Sequence, residues 1–578
     1  MPGVSAEQTA SSSAGDRWLI GLLSALAVLF GSLAIAILRF KHFTIDEFQY
    51  AHAAWLVAHR QIPYRDFFND RFPLLYQALG AVPALKTAEP EDIILLRWMM
   101  LPLLAVTVVI HALMNRHGGR VIAILGVVIL LGTSTFTARA TEIRPDPLAF
   151  ALFLAAITVL SGEYFADRMA AFIAGLLVAA SLWASLKVVY YGCIFVVALL
   201  LDIFFNRPKR RERFLRQDSM FLAGFAIVAA LIGTYLWLSG SMSDWFNWSV
   251  KWAYVHEAHY PRVPWIRTSA PFLRDYWWIV VLGAVGWLID LSREVRSRQA
   301  DRREMLLLLA LPSTLLSFAA QRAPFEYSLI PFIGILTIYA SRGLVLLFGA
   351  VHRLRPTLRA VAMPILIVAC GCGAILSFVR SRQAMWPRLD GQLATLHQLG
   401  VVTGSTDAIY DNTGAYFARP HAWYFFYTDE LLRRRLSATM TADVEQALLR
   451  SQAPAVLIDL RFKGLPPELQ RFIEEHYQPY GGDLCLWGMR FGPAPAIDGQ
   501  FWAIQNGAYF IDPVEVLQRG TLTIGGHRIT SQVFTLPLGE NRVAYTGRPS
   551  AFSILWLPRD RKPYAPTVSP LRSLFSFL

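Results

Sequence analysis

The chain has 578 residues, of which 55% are hydrophobic and only 16% charged, and its mean hydropathy is +0.40. Soluble chains carry roughly 25% charged residues. The composition therefore excludes a disordered chain, a coiled coil and a collagen-like fibre, and it fits an ordinary soluble enzyme poorly. The 54 basic and 41 acidic residues leave a net charge of +13. In a soluble protein that excess would suggest a nucleic-acid partner. Here its position along the chain gives another explanation, and no nucleic acid is expected.

Residues 1–17 are polar and Ser/Ala-rich and read as a disordered cytoplasmic tail. The first apolar run is long enough to span a bilayer, so it reads as a membrane anchor rather than a cleavable signal. Eleven such runs follow one another, near 18–38, 93–113, 121–138, 147–161, 169–186, 188–205, 219–239, 276–291, 305–320, 326–341 and 360–379. The runs at 18–38, 219–239 and 360–379 carry no charge. Arg342 interrupts an apolar stretch that continues to Val351, and the tenth span is expected to end there.

Loop charge sets the orientation. The loops after even-numbered spans hold 18 basic and 7 acidic residues, nearly the whole of the excess. They include Arg116, Arg120, Arg168, the Arg207–Arg213 run, Arg293 to Arg303, and Arg353 to Arg359. The N-terminus is therefore expected in the cytoplasm and everything beyond about residue 380 outside the plasma membrane. In that exterior region, 407–411 and 455–459 read as short buried strands and 466–475 as a helix opened by prolines. Residues 500–560 are rich in Gly, Thr and β-branched residues and read as a β-sheet module. The expected organisation is a transmembrane domain over 18–380, an α/β domain over 381–495 and a β-rich module with a tail over 496–578. Cys193, Cys370 and Cys372 lie in apolar runs and Cys485 in the polar region, so no structural disulfide is expected.

With the cytoplasmic charges assigned to topology, the informative ionisable residues are those on the other side. The first exterior loop, about 39–92, holds Asp46, Glu47, Asp66 and Asp70 beside Arg65 and Arg71. Its Phe72–Leu85 segment is apolar, too short to span, and suited to the membrane surface. The second exterior loop runs Ala138-Arg-Ala-Thr-Glu-Ile-Arg-Pro-Asp146, with Glu142, Arg144 and Asp146. Lys187 is the only charge between spans five and six, and Arg322 and Tyr327 fall in the last such loop. Carboxylates can activate a hydroxyl or hold a divalent metal. Arginine and lysine at a membrane surface suit a lipid phosphate. Structural alternatives stand beside each. Asp46 and Glu47 can cap a helix over 46–59. Asp66 and Asp70 can pair with Arg65 and Arg71, Arg144 can pair with Asp146, and Lys187 can snorkel. His256 and His259 share a helical face as metal-ligand candidates, or belong with Trp245, Trp248, Trp252 and Trp265 to an interfacial aromatic belt.

Together these motifs carry a resemblance. Asp46-Glu47 just after the first span, then Ile62-Pro-Tyr-Arg-Asp-Phe-Phe68 and Pro73-Leu-Leu-Tyr76, resembles the polyprenyl-phosphate-dependent glycosyltransferases of the GT-C superfamily. The branch in question holds the protein O-mannosyltransferases and the lipid A aminoarabinose transferase. Arg139–Asp146, Ser185-Leu-Lys187 and Tyr327-Ser-Leu-Ile-Pro-Phe332 resemble further elements of that branch, although Glu326 replaces a usual basic or aromatic neighbour. The resemblance covers roughly residues 15–380. It implies an all-α membrane bundle of about eleven spanning helices with an exterior C-terminal α/β plus β region. It implies Asp46 as catalytic base, supported by Glu47, and Arg144, Lys187 and Arg322 as ligands of the lipid phosphate. Asp66, Asp70, Glu142, Asp146 and Tyr327 would bind substrate. A divalent metal, Mg or Mn, would draw on Asp46, Glu47, His256 and His259. The implied partners are a polyprenyl-phosphate-linked sugar donor, a lipid, glycan or protein acceptor, and membrane lipids. A transporter or flippase for a lipid-linked sugar is the alternative, and it predicts ionisable residues within the spans.

Overall fold

The computed structural model describes residues 6–160, 165–205, 208–297, 302–481 and 483–558. The chain divides into two compact units. One comprises 1–41, 70–75 and 96–387, the other 42–69, 76–95 and 388–578.

The first unit is helical. Among the described residues, seven helices are long and apolar enough to cross a membrane: Arg17–Phe40, Pro90–Asn115, Asp167–Ala184, Gln217–Leu238, Trp265–Arg296, Glu326–His352 and Pro356–Gln383. A bent pair, Arg120–Gly132 and Ser134–Ala140, turns through 75° and makes an eighth if counted as one span. Three shorter apolar helices complete the set: Pro145–Val159, Val188–Ala198 and Glu304–Ala320. These eleven segments coincide with the eleven apolar runs of the sequence, but the last three fall short of the roughly 20 residues a straight crossing needs. Two of them start directly after a charged residue: Arg144, which is itself extended, and Lys187, which follows the extended Ser185 by two residues.

Close helix packing depends on two pairs of glycines. A Cβ on Gly175 would lie 2.0 Å from the Phe221 carbonyl oxygen, and one on Gly224 would lie 2.2 Å from that of Phe172. Gly286 and Gly343 bring helices Trp265–Ser297 and Ile330–His352 together in the same way, with carbonyls of Tyr339 and Leu282 at 2.2 Å. Between membrane helices, attraction comes from such backbone proximity and not from hydrophobicity. The break in the bent pair is sealed from outside. Helix Trp265–Ser297 kinks at Tyr276, whose hydroxyl accepts the Ser134 N–H at 2.9 Å and lies 3.4 Å from the Gly132 carbonyl.

Two expectations need correction here. Helix Ala6–Phe40 begins well inside the segment expected to be a disordered tail, with residues 1–5 outside the described part. An Ala-containing stretch attached to a long helix is extended without a new nucleation step. The tenth span also runs through Arg342, and the helix continues from Ile330 to His352. The guanidinium is tolerated because Asp290 and Glu304 of two other helices accept from it at 2.7 and 3.1 Å. A paired charge need not reach the interface.

The second unit is built around helix Ile45–Ala58, buried on nearly every face. It opens with a capping box in which the Thr44 N–H donates to the Glu47 carboxylate at 3.0 Å. Strands β1 (Ile409–Tyr410) and β2 (Ala455–Leu457) pair in parallel, as the short buried strands expected there. Helix Pro467–His476 is followed by β3 (Tyr477–Gly481), which pairs with β4 (Leu484–Ala503). β4 is the hinge of the sheet. Its first residues pair with β2 and the rest with β9 (Gly539–Trp556). Strands β5 (Gly507–Asp512), β6 (Gly520–Ile524), β7 (His527–Arg528) and β8 (Val533–Leu536) complete the array. Because β4 passes through residue 495, the α/β and β-rich regions share one strand and do not separate at 495/496.

His52, on the central helix, is enclosed by the rings of Trp55, His421 and Phe426. Burial and the neighbouring His421 push its pKa down to about 3, against the opposing pull of Asp411.

Gly175→Ala is expected to destabilise the purified protein by about 1–3 kcal/mol through forced helix separation. Gly233→Ala, with nothing near its Cβ, should be neutral. Thermal unfolding in detergent compares the two. For His52 the folded state excludes a proton that the unfolded chain binds below about pH 6.5. The stability this gives is complete above that value and drains away as pH falls toward 3, at most about 1.4 kcal/mol per pH unit. His52→Phe should flatten that acid sensitivity, and denaturant unfolding at several pH values measures it.

Candidate functional site

Five separate segments of the helical unit end in one charged cluster. Lys41 follows helix Ala6–Phe40, and Arg139 lies in the last turn of helix Ser134–Ala140. Glu142 and Arg144 form the turn beyond it, and Asp146 sits in the first turn of helix Pro145–Val159. Lys187 stands between Asp167–Ala184 and Val188–Gly192, while Glu326 and Tyr327 precede helix Ile330–His352. All these positions are ends of apolar helices, which brings an ionic site to the margin of an apolar bundle.

Glu142, only 1% exposed, is the centre. One carboxylate oxygen accepts from Lys41 Nζ and from Arg139 Nη1 at 2.7 Å, and the other from Arg144 Nε at 2.6 Å. Burial alone would raise its pKa, but Arg139, Lys41 and Arg144 hold it well below the usual carboxylate range. Arg139 also donates to Glu326 at 2.7 Å, and Lys41 to the Ala138 carbonyl at 3.1 Å. Lys187 donates to Asp146 at 3.0 Å. The Arg144 guanidinium and the Lys187 ammonium both lie over the Tyr327 ring, 3.8 and 4.0 Å from its centre. The cluster thus has four cations (Lys41, Arg139, Arg144 and Lys187) against three carboxylates (Glu142, Asp146 and Glu326). Counted over these seven side chains alone, one positive charge is in excess. Buried Arg97 supports it from behind by donating to the carbonyls of Leu38 and Lys41 at the end of the first helix.

Arg144, Lys187, Glu142, Asp146 and Tyr327 therefore come together. Lys187 is not a lone snorkelling charge, and Arg144 pairs with Glu142. Tyr327 contributes its ring face. Arg322 donates to the Ala258 carbonyl, and its own carbonyl accepts the Val263 N–H at 2.8 Å, which ties two loops together. Asp70 pairs with Arg71 at 3.2 Å. In the second unit, Asp66 pairs with Arg65 at 2.8 Å and accepts the Ile62 N–H at 2.7 Å. The hydrogen bond from Arg65 keeps its carboxyl below the ordinary value. Asp46 lies half-buried in the first turn of helix Ile45–Ala58, and Glu47 beside it is fully buried in the capping box.

Among the described residues there is no group of three or more His, Cys, Asp or Glu side chains placed to hold a metal ion. Glu47 serves its helix cap, and His259 Nδ1 lies 2.8 Å from the Val255 carbonyl. The side chain of His256 lies outside the described part. The sequence reading missed Lys41 and gave Arg139 no role. Lys41 was legible in principle, as one of the two charges, with Arg39, that close an uncharged span.

No protein-family model matches the chain, and no curated protein matches it. It is similar in structure to ArnT from Cupriavidus metallidurans bound to undecaprenyl phosphate. That match has 12% identity and a TM-score of 0.48, over 81% of this chain and 97% of the other. It is also similar to the archaeal oligosaccharyltransferase AglB from Archaeoglobus fulgidus in complex with an inhibitory peptide and a dolichol-phosphate. There the identity is 11% and the TM-score 0.46, over 90% of this chain and 76% of the other. The apo form of the Archaeoglobus fulgidus oligosaccharyltransferase matches at 12% identity and a TM-score of 0.48, over 89% and 76%.

Glu142→Gln would leave Lys41 and Arg144 buried without their shared counter-charge, at an expected cost of about 3–5 kcal/mol. Glu142 ionises well below its ordinary value near 4.5. Its contribution is therefore complete above that value and lost only as pH falls through the lower folded one. The difference between variant and wild type should hold constant from about pH 5 to 8 in denaturant unfolding.

Proposed function

We propose that this chain is an integral membrane glycosyltransferase. It moves a sugar from a polyprenyl-phosphate donor to an acceptor hydroxyl at the outer face of the plasma membrane. The observation that carries this is the convergence of Arg144 and Lys187 on the Tyr327 ring, inside a cluster of net positive charge at the ends of apolar helices. A ligand with an anionic head and a long apolar tail suits such a place: the head meets the cations and the tail meets the helices.

In this reading Lys187 and Arg144 hold the phosphate, and Asp146 and Glu142 fix the two cations. Asp46 takes the proton of the acceptor hydroxyl. The freed oxygen attacks the anomeric carbon with inversion, and the bond from that carbon to the phosphate oxygen breaks, leaving its electron pair on the phosphate. The cations stabilise the charge that accumulates there. A phosphate leaves readily, so no separate acid is required. The role of Asp46 rests on its motif directly after the first span. The N-terminus in the cytoplasm and the C-terminal region outside follow from the loop-charge balance.

A flippase for a lipid-linked sugar is the second reading, favoured by the Arg342–Asp290–Glu304 group within the helices. Mass spectrometry of envelope glycans and lipids from a deletion strain separates the two. A glycosyltransferase leaves an envelope glycan or lipid short of one sugar. Wild-type chain restores it. Asp46→Asn is expected to lower transfer roughly 10²–10⁴-fold, and Lys187→Ala by about tenfold or more, both at normal membrane levels. Accumulation of a lipid-linked sugar at the inner leaflet, with both variants active, would favour the flippase.

A further inference from the structure

Phe325 has no part in the chemistry above, yet it stands beside the ring over which Arg144 and Lys187 lie. Its ring is 47% exposed. It stacks on Tyr327 with ring centres 5.5 Å apart and planes within 6° of parallel. Tyr327 is the ring over which both Arg144 and Lys187 sit. On its far edge Phe325 meets Tyr260 at 6.4 Å and 69°. The loop that carries it is held at both ends. The Val263 N–H donates to the Arg322 carbonyl at 2.8 Å, and the Ser328 N–H to that of Phe325 at 2.9 Å. The next residue, Glu326, presents a one-third exposed carboxylate already oriented by Arg139.

An exposed aromatic face beside a fixed carboxylate is the chemistry that recognises a sugar: the ring accepts the C–H face and the carboxylate accepts hydroxyls. We propose that Phe325, with Glu326 at its side, is the platform on which the glycosyl ring of the lipid-phosphate donor stacks. This rests on the lipid-phosphate reading of the neighbouring cations. The polyprenyl chain, the other apolar part of the donor, is the rival occupant of that face.

Binding to the full-length protein in detergent tests this with two kinds of probe. One is farnesyl phosphate, the other farnesyl phosphate carrying glucose, mannose, galactose or arabinose. Phe325→Ala should weaken at least one glycosylated probe roughly tenfold while leaving farnesyl phosphate within about twofold. Phe325→Trp, which keeps a stacking face, should stay within about twofold of wild type on both kinds. Equal weakening of both kinds would assign the ring to the lipid tail and overturn the proposal. No change on any glycosylated probe would overturn it too. If wild type binds neither kind and Lys187→Ala changes nothing, the lipid-phosphate reading fails and the platform with it.

Discussion

The helical unit is organised around a charge problem that a single carboxylate solves only in part. Glu142 accepts from Lys41, Arg139 and Arg144 in a place almost free of water. Removing an ion from water costs several kcal/mol even after relaxation. One buried carboxylate thereby holds three cations together. The surrounding structure serves this balance. Glu326 takes part of the load of Arg139, Asp146 steadies Lys187, and the Tyr327 ring offers its electron-rich face to two cations. In the proposed function such a cluster would be preorganised: the cost of gathering like charges is met during folding.

Much of this was legible from residue order. The alternation of apolar runs puts Lys41, the 139–146 turn, Lys187 and the 322–327 loop at equivalent helix ends, and a resemblance to GT-C enzymes singled out three of them, all but Lys41. Partners were not legible. Arg144 and Asp146 are neighbours in sequence, yet Arg144 bonds Glu142 and Asp146 bonds Lys187, because a proline-opened helix points its first turn away from the preceding residue. Arg342 was misread for a related reason. Hydropathy reports the cost of a charge in a span but not the two carboxylates, on other helices, that offset it. The extent of β4 was equally hidden. A composition shift near 495 suggests a boundary, and nothing local reveals that one strand carries the sheet across it.

Helix packing and site geometry are linked through the break at Thr133. The two helices that meet there turn through 75°, and the second carries Arg139. Backbone groups freed by such a break need partners inside a bundle. Tyr276, itself at a kink, supplies one. Gly286, farther along the same helix, draws it against helix Ile330–His352, directly beyond Glu326 and Tyr327. Close backbone contact in the apolar interior thereby fixes the direction from which two members of the charged cluster approach.

The make-up of the second unit has a consequence for synthesis. Helix Ile45–Ala58 is enclosed by residues that leave the ribosome more than three hundred positions later. At about 5–20 residues per second, its apolar faces wait tens of seconds for their covering. During that interval the nascent loop must be shielded by the bilayer surface or by a chaperone. A message cut short before His421 and Phe426 would then release a product whose earliest extramembrane helix is left sticky and ready to aggregate.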